Sequence, residues 1–307
     1  MDKRYWWYLF VCSVTWGTSY PLTKVLLAKI TPLTFLILRL TFGLVVLLLM
    51  VARRKSWSEF GHFWRQDRRV LLVLGLVITP GSLFLQSYAI LFTTAVNQSI
   101  IINLQAIIVV IIQVVFYKLR LRPTVWIGSV IAFFGVYLII VRPGEVLFGI
   151  STFLGDILTI LTSIGWGAYT AVGEKAVRKF DPLVVISAIF ACCLAIFIPL
   201  WIVEGGYAGL LLLGGWEWLM LVYLGVICTG FGYWIWYEAC RSVPAEQVAM
   251  FSYVSPLVAI VMGVAWLGEP FTLPIVIGFA LTMVGLTIAE RSSLFSSKGE
   301  QNQKNSP

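Results

Sequence analysis

Long apolar stretches dominate the chain, and short runs of charged residues, proline or glycine separate them. A helix that crosses a lipid bilayer needs roughly 20 mostly apolar residues. We predict one spanning helix for each stretch of about this length. The predicted spans are residues 5–27, 31–52, 69–91, 95–117, 123–142, 152–174, 182–203, 217–240, 245–267 and 271–290.

The composition agrees with a chain that folds in a lipid bilayer. Apolar residues make up 60% of the 307 positions and charged residues only 12%, whereas soluble domains carry about 25% charged residues. The only histidine, His62, lies among charged loop residues, and the five cysteines have no metal-ligand spacing. We therefore expect no catalytic residues, no metal site and no cofactor.

The basic residues predict the orientation in the membrane. Most of the 22 lysines and arginines fall in alternate loops, and Lys24, Lys29 and Arg142 are the ones on the opposite side. Cytoplasmic loops are enriched in Lys and Arg, so we predict a multi-pass protein of the cell (inner) membrane with cytoplasmic N- and C-termini. This clustering also argues against a nucleic-acid partner despite the net charge of +8. We expect the polar residues 291–307 to form a disordered cytoplasmic tail.

The chain matches itself at a shift of 150 residues. The matches include Trp16-Gly17 with Trp166-Gly167, Pro32-Leu33 with Pro182-Leu183, and Gly128 and Gly135 with Gly278 and Gly285. Each copy contains five predicted helices, and an odd number makes the second copy enter the membrane from the opposite side. The expected fold is therefore an all-α integral membrane protein of ten transmembrane helices, arranged as two inverted five-helix repeats at residues 5–142 and 152–290. Many secondary transporters have this architecture.

Polar residues inside the spans predict a central cavity among the first, third, fourth, sixth, eighth and ninth helices. A polar group that faces lipid is costly, so such groups face protein or a wet cavity. Ser, Thr and Gly also serve helix packing in membranes, and the tryptophans could contact substrate, gate the cavity or simply pack. The candidate substrate-binding residues are Ser13, Trp16, Tyr20, Thr79, Gln86, Gln98, Asn103, Gln105, Trp166, Tyr169, Thr229, Tyr233 and Tyr253.

Four charged residues are candidates for structural or coupling roles. Arg39 lies about two turns into the second span and could pair with an anionic substrate, although a salt bridge or a snorkelling contact is the favoured interpretation. Asp156 suits the N-terminus of the sixth helix. Glu238 lies three residues before Arg241, which favours a local ion pair over proton transfer, and Glu269 is expected to be a boundary residue.

Two further patterns concern helix packing. Gly128 and Gly135, and Gly278 and Gly285, lie seven residues apart among apolar residues. This spacing favours close packing between the halves or between two protomers of a homodimer.

The order and spacing of several motifs resemble the drug/metabolite transporter superfamily, and specifically its EamA-type branch. The motifs are Pro32 with Arg39, Gly155-Asp156 before Trp166-Gly167-Ala168-Tyr169, Trp266-Leu267-Gly268-Glu269-Pro270, and the Gly278 to Gly285 spacing. The resemblance covers residues 5–290. It implies a bacterial or archaeal inner-membrane carrier with a central cavity and alternating access, often an exporter of amino acids or related metabolites. The first half departs from the pattern, because Lys118-Leu119-Arg120 stands where the second half has Gly268-Glu269-Pro270.

The predicted function is secondary transport, and two other classes remain open. A channel or facilitator would have a continuous pore, and a membrane-embedded enzyme would need a cluster of catalytic carboxylates, histidines or a metal site. The amides, hydroxyls and aromatic rings of the spans favour a small polar or zwitterionic substrate with some apolar body, such as an amino acid. The expected partners are this small molecule and the lipid bilayer.

Overall fold

The computed structural model describes residues 3–117, 123–141, 150–243, 248 and 250–304, and this part of the chain contains helices and no strand. We number its helices α1 to α10. The first five are α1 (Lys3–Leu27), α2 (Pro32–Arg54), α3 (Ser58–Leu72, continuing through Val73–Ile78 to Thr79–Phe92), α4 (Ala95–Ile101, continuing through Ile102–Leu104 to Gln105–Tyr117) and α5 (Pro123–Val141). The others are α6 (Ile150–Val177), α7 (Pro182–Glu204), α8 (Gly215–Val222, continuing through Tyr223–Phe231 to Gly232–Ser242), α9 (Met250–Tyr253 and Val254–Leu267) and α10 (Leu273–Lys304).

Six of these helical stretches are long and apolar enough to cross a membrane. They are Pro32–Arg54, Ser58–Phe92, Ala95–Phe116, Pro123–Val141, Pro182–Glu204 and Gly215–Ser242, and the shorter segments Phe251–Leu267 and Leu273–Ala289 are also apolar. Large apolar side chains cover much of the outer surface, among them Phe116, Val130 and Val203. Lipid rather than water is the solvent that matches such a surface. The chain is therefore a multi-pass membrane protein.

Several helix boundaries follow from local sequence chemistry. Thr31 precedes Pro32 and its hydroxyl accepts a hydrogen bond from the Thr34 N–H, while the Asp181 carboxylate accepts one from the Leu183 N–H in the same way. These side chains satisfy backbone donors that a helix start leaves unpaired. The third helix starts at Ser58 rather than at the predicted residue 69, and a kink at Asp67 separates the added part.

The end of the last helix differs from the prediction. Helix α10 extends to Lys304, past the predicted end at residue 290. The disordered character of the 291–307 tail stays a prediction.

Helices α5 and α10 pack closely through the glycines singled out in the sequence. A Cβ atom at Gly128 would lie 2.5 Å from the Gly285 carbonyl oxygen, and one at Gly135 would lie 2.6 Å from the Gly278 carbonyl oxygen. Small residues let membrane helices approach at this range. The predicted packing is confirmed within one chain, and it joins the two halves.

The same local geometry occurs twice, 150 residues apart. The wide helical turns of Val73–Ile78 in α3 recur in Tyr223–Phe231 of α8. Gly75 in the first segment packs on Cys192 of α7, and Gly225 in the second packs on Phe42 of α2. Adding 150 to the number of Gly75 gives Gly225, and subtracting 150 from that of Cys192 gives Phe42. The second contact is therefore the counterpart of the first, with the two halves exchanged.

Ion pairs lie at the two ends of the helices. The Glu269 end, as we name it, contains the pairs Lys24–Glu269 at 2.8 Å and Lys29–Glu217 at 2.6 Å. The Asp67 end contains the pairs Lys179–Asp67 at 3.0 Å and Arg54–Asp181 at 3.6 Å. Helix α1 thus ends at the Glu269 end, whereas α2 ends and α7 begins at the Asp67 end.

Candidate functional site

A cavity lies between the two halves, with walls from α1, α2, α3, α4, α6 and α8. Its volume is about 50 Å³, which is room for a few waters because each needs roughly 10–15 Å³. Five of the six helices predicted to surround it do so, and α2 contributes where α9 was expected. The lining residues are Trp16, Ser19, Tyr20, Arg39, Gln86, Ile102, Gln105, Trp166, Tyr169, Thr170, Tyr233 and Trp236.

A second, smaller cavity of about 10 Å³ adjoins the first and shares Ser19, Tyr20, Arg39 and Gln86 with it. Of the residues that it adds, Thr23, Ser87 and Gln98 lie toward the Glu269 end, and Leu83 lies about one turn before Gln86 on α3. The two cavities form one polar region that stops short of this end.

Three aromatic rings form one wall of the larger cavity. The Tyr233 ring lies 5.5 Å from the Trp16 ring and 5.6 Å from the Trp166 ring, measured between centroids. The Trp16 indole N–H donates to the Cys228 carbonyl oxygen at 2.8 Å. The Trp166 indole N–H donates to Gln86 Oε1, also at 2.8 Å. Since both indole N–H groups have protein partners, the rings offer mainly their apolar faces.

A second layer of aromatic residues holds this wall in place. Tyr169 stacks on Tyr237 with 4.7 Å between ring centroids, and the Tyr237 hydroxyl donates to the Tyr169 carbonyl oxygen at 3.1 Å. Gly173 leaves the space that the Tyr237 hydroxyl occupies. The wall is thus fixed by contacts between α6 and α8.

The two predicted glutamines of α4 lie in different cavities. The Gln98 side-chain amide donates to the Gln86 carbonyl oxygen at 2.9 Å and borders the smaller cavity, whereas Gln105 borders the larger one. The 3-10 turn Ile102–Leu104 separates them. Both amides border polar space, and substrate contact by either stays a prediction.

Arg39 is a buried cation that borders both cavities. It lies seven residues into α2, about 10 Å from the start of that helix, and only 8% of it is exposed. Its Nε–H donates to Thr229 Oγ1 at 2.6 Å, and its guanidinium lies 5.7 Å from the Phe35 ring centroid. No carboxylate among the described residues pairs with it, so the salt-bridge alternative of the prediction is not found in this part of the chain.

The wide turns of α8 present Thr229 to Arg39. The Thr229 hydroxyl donates to the Leu224 carbonyl oxygen, five residues earlier, at 2.8 Å. Its oxygen then accepts the Arg39 Nε–H. Thr229 therefore lies behind the arginine rather than on the cavity wall, and it positions the guanidinium.

Asp156 has a different role from the one predicted. It lies six residues inside α6 and is fully buried, so the interpretation as a cap of its own helix is wrong. Its carboxylate accepts hydrogen bonds from the Thr93 hydroxyl and, at 3.4 Å, from the Asn97 side-chain amide. It therefore joins α6 to the α3–α4 junction at the Glu269 end.

Glu269 is a boundary residue, as predicted, but it also closes a network between the halves. Its two oxygens accept from the Ala95 and Val96 backbone N–H groups at 2.8 and 2.9 Å, which places the carboxylate at the N-terminus of α4. Lys24 of α1 pairs with it at 2.8 Å and also donates to the Thr93 carbonyl oxygen at 3.0 Å. The sequence motif gave the position of Glu269 but not these partners.

The thirteen candidate residues divide into two groups. Eight border a cavity: Trp16, Tyr20, Gln86, Gln98, Gln105, Trp166, Tyr169 and Tyr233. The other five, Ser13, Thr79, Asn103, Thr229 and Tyr253, are not among the lining residues, and the first three are fully buried.

The set of thirteen candidates left out other lining residues. Ser19, Thr170 and Trp236 border the larger cavity. Ser19 lies three residues after Trp16, and Thr170 lies four residues after Trp166. That helical spacing was the signal that could have identified them.

Glu238 lies outside both sets of cavity residues. It pairs with Arg241 at 3.8 Å, so the predicted local ion pair is confirmed.

Known proteins with similar sequences are transporters. The profile of the EamA-like transporter family matches residues 4–141 and again residues 153–290. Two proteins of Archaeoglobus fulgidus, each named an uncharacterized transporter, are 27% and 26% identical to this chain. They align over 91% and 93% of it and over 94% and 98% of their own lengths. The uncharacterized transporter YwfM of Bacillus subtilis is 25% identical, with 92% of each chain covered.

A solved crystal structure shares the fold. It superposes with a TM-score of 0.68 at 19% sequence identity and covers 92% of this chain and 95% of its own. The similarity extends over nearly the whole chain.

Proposed function

The chain belongs to the EamA-like transporter family, and from this premise we propose that it is a secondary transporter that exports a small polar or zwitterionic metabolite, such as an amino acid, by alternating access. The observation that carries the proposal is the cavity between the halves, which polar and aromatic side chains of the apolar helices line. Polar groups inside a membrane protein mark substrate paths.

Alternating access needs two halves that can exchange conformations, and we propose ten helices in two inverted five-helix repeats. Three findings support this arrangement: the family profile matches twice, the wide turns of α3 recur in α8, and the Gly128–Gly285 contact becomes the Gly278–Gly135 contact when 150 residues are added or subtracted. Labelling that placed Lys118 and Lys175 on opposite faces of the membrane would refute this topology.

We further propose that the Glu269 end is the outer gate and is closed in this conformation. Glu269, Lys24 and Asp156 join α1, α3, α4, α6 and the end of α9 there. The position related to Lys24 by the 150-residue shift is Glu174, which pairs with Arg178 one turn along its own helix at 2.8 Å. Ligand release to the outside would require the network between the halves to separate. The excess of basic residues in the other set of loops supports the assignment of this end to the outside.

The cavity walls support the substrate class. The amides of Gln86 and Gln105 offer donors and acceptors, and the rings of Trp16, Trp166 and Tyr233 offer apolar faces. A small molecule with a polar head and an apolar body matches both kinds of wall. The few waters that fit in this conformation indicate that the cavity must widen to hold a substrate.

Counterflow in proteoliposomes tests the proposal. Vesicles loaded with an unlabelled amino acid or metabolite mixture are diluted into each labelled compound in turn. A carrier accumulates label transiently, because it carries internal substrate out and then faces the outside with a free site that binds label. Label that only equilibrates, with no acceleration by internal substrate, would instead show a channel or facilitator.

Export is tested separately by the direction of net movement. Cells that contain the chain and are preloaded with the identified substrate should lose it faster than cells without the chain. Faster uptake with unchanged efflux would contradict export.

A further inference from the structure

Arg39 brings a positive charge to the cavity without a protein counter-ion among the described residues. A guanidinium carries five N–H donors, and only the Nε–H is bonded to a described residue, Thr229. Isolated buried charges are costly in membrane proteins and mark substrate pathways. The remaining donors of Arg39 are available to a ligand in either cavity.

The protein's own carboxylates are committed elsewhere. Each carboxylate whose side chain is described has a hydrogen bond or an ion pair away from Arg39. Those at the Glu269 end illustrate this, because Glu269 pairs with Lys24 and Glu217 pairs with Lys29. Arg39 would have to draw an anion from outside this part of the chain.

The fold itself does not require an arginine at this place. The position related to Arg39 by the 150-residue shift is Ile189, which is fully buried in α7. The position related to Thr229 is Thr79, whose buried hydroxyl has no hydrogen-bond partner among the described residues. The same helix contact is thus made with an isoleucine in one half and with a charged, hydrogen-bonded arginine in the other. The positive charge is therefore specific to the first half and is not needed for the helix packing that the two halves share.

The wall around Arg39 is suited to an apolar body attached to the anion. Trp16, Trp236 and Tyr233 line the same cavity, with 5.0 Å between the Trp16 and Trp236 ring centroids. A guanidinium binds a carboxylate through two parallel N–H donors, and a flat apolar group packs against aromatic faces.

We propose that Arg39 binds the carboxylate of the transported substrate and that Thr229 positions the guanidinium for it. The substrate class is therefore a small carboxylate with an apolar or aromatic body. This inference rests on the proposed transport function and adds the chemical group that the cavity selects.

Binding to two isosteric pairs of probes tests the inference. The pairs are 3-phenylpropionate with 3-phenylpropionamide, and L-phenylalanine with L-phenylalaninamide. Affinities for the purified full-length chain come from the ligand-dependent rise in melting temperature. In the wild type we expect each carboxylate to bind at least about tenfold more tightly than its amide, the scale of one hydrogen bond to a charged group.

Variants assign that preference to Arg39. Arg39→Gln should lower carboxylate affinity to that of the amide while amide affinity changes by less than about twofold. Thr229→Val keeps the charge of Arg39 and removes the positioning hydrogen bond, so it should reduce the carboxylate preference several-fold. This variant tests the inference if Arg39→Gln does not fold. Arg53→Gln removes an exposed charge from the same helix and should leave the preference unchanged.

Three results would overturn the inference. They are equal wild-type affinity for carboxylates and amides, a carboxylate preference that survives in Arg39→Gln and Thr229→Val, and no binding of either carboxylate. A fourth result, from transport, would also overturn it: counterflow of neutral or cationic metabolites alone would refute the role of Arg39 and leave transport standing. Absence of counterflow with every metabolite would refute transport itself.

Discussion

Replacement of Glu269 by glutamine tests whether the network at the Glu269 end acts as a gate. The carboxylate accepts two backbone N–H bonds from α4 and pairs with Lys24. A glutamine keeps one acceptor oxygen but presents an NH₂ group to donors, so at least one charge-assisted hydrogen bond is lost together with the ion pair. The change removes contacts that exist when this end is closed.

The size of the effect follows from the exposure of the partners. A hydrogen bond to a charged group contributes about 1.5–3 kcal/mol. The Lys24 side chain is 34% exposed, so solvent screening reduces the ion pair to about 1 kcal/mol or less. The closed conformation should lose about 2–3 kcal/mol, and because 1.4 kcal/mol is a factor of ten, the open population should rise roughly 30- to 140-fold.

Cysteine labelling measures this population. Ser87 is buried and lines the smaller cavity toward the Glu269 end, so Ser87→Cys should react with a membrane-impermeant maleimide only when this end opens. When opening and closing are fast relative to labelling, the labelling rate is proportional to the open population. In that regime Glu269→Gln should speed the reaction by about the same factor as it raises the population. The control is the chain without Ser87→Cys, in which only native cysteines can react. Cys193 and Cys228 are fully buried, so labelling of these two residues would reveal global unfolding.

Glu217→Gln is the matched control. Glu217 pairs with Lys29 at 2.6 Å at the same end and accepts a backbone hydrogen bond from Gly214 at the start of α8. The Glu217→Gln substitution breaks a similar lysine–glutamate pair but removes no contact with α4. We therefore expect less than a twofold change in labelling rate. Equal acceleration by both substitutions, or no acceleration by Glu269→Gln, would refute the gate.

Three further predictions concern packing, coupling and the second buried carboxylate. Gly135→Ala should lower the melting temperature, because overpacking against α10 costs about 1–3 kcal/mol. Gly81 has open space around it, so Gly81→Ala should leave the melting temperature unchanged. Equal effects of the two substitutions would contradict the packing argument. Glu238→Gln should leave most counterflow activity intact, because Glu238 forms a local pair with Arg241, and complete loss with normal membrane insertion would show that it carries protons. Asp156→Asn should lower the melting temperature by an amount that matches about 1–3 kcal/mol, and an unchanged melting temperature would show that its bonds to α3 and α4 add nothing to stability.

Local sequence properties determined the membrane class, the approximate spans and much of the cavity wall. Apolar length reports the solvent of a helix directly, and helical spacing places residues such as Trp16 and Tyr20 on one face of α1. The 150-residue match also indicated the glycine contacts between α5 and α10. These properties need no knowledge of which helices are neighbours.

The partners of the charged residues were decided only by the tertiary structure. Lys24 and Glu269 are 245 positions apart in the sequence, and Arg39 and Thr229 are 190 apart. A side chain's hydrogen-bond partner depends on how whole helices pack, and nothing in its neighbours along the chain specifies that packing. For this reason the sequence identified Arg39, Asp156 and Glu269 as unusual, and only the folded chain distinguished a cavity cation from two carboxylates that hold the helices together at one end.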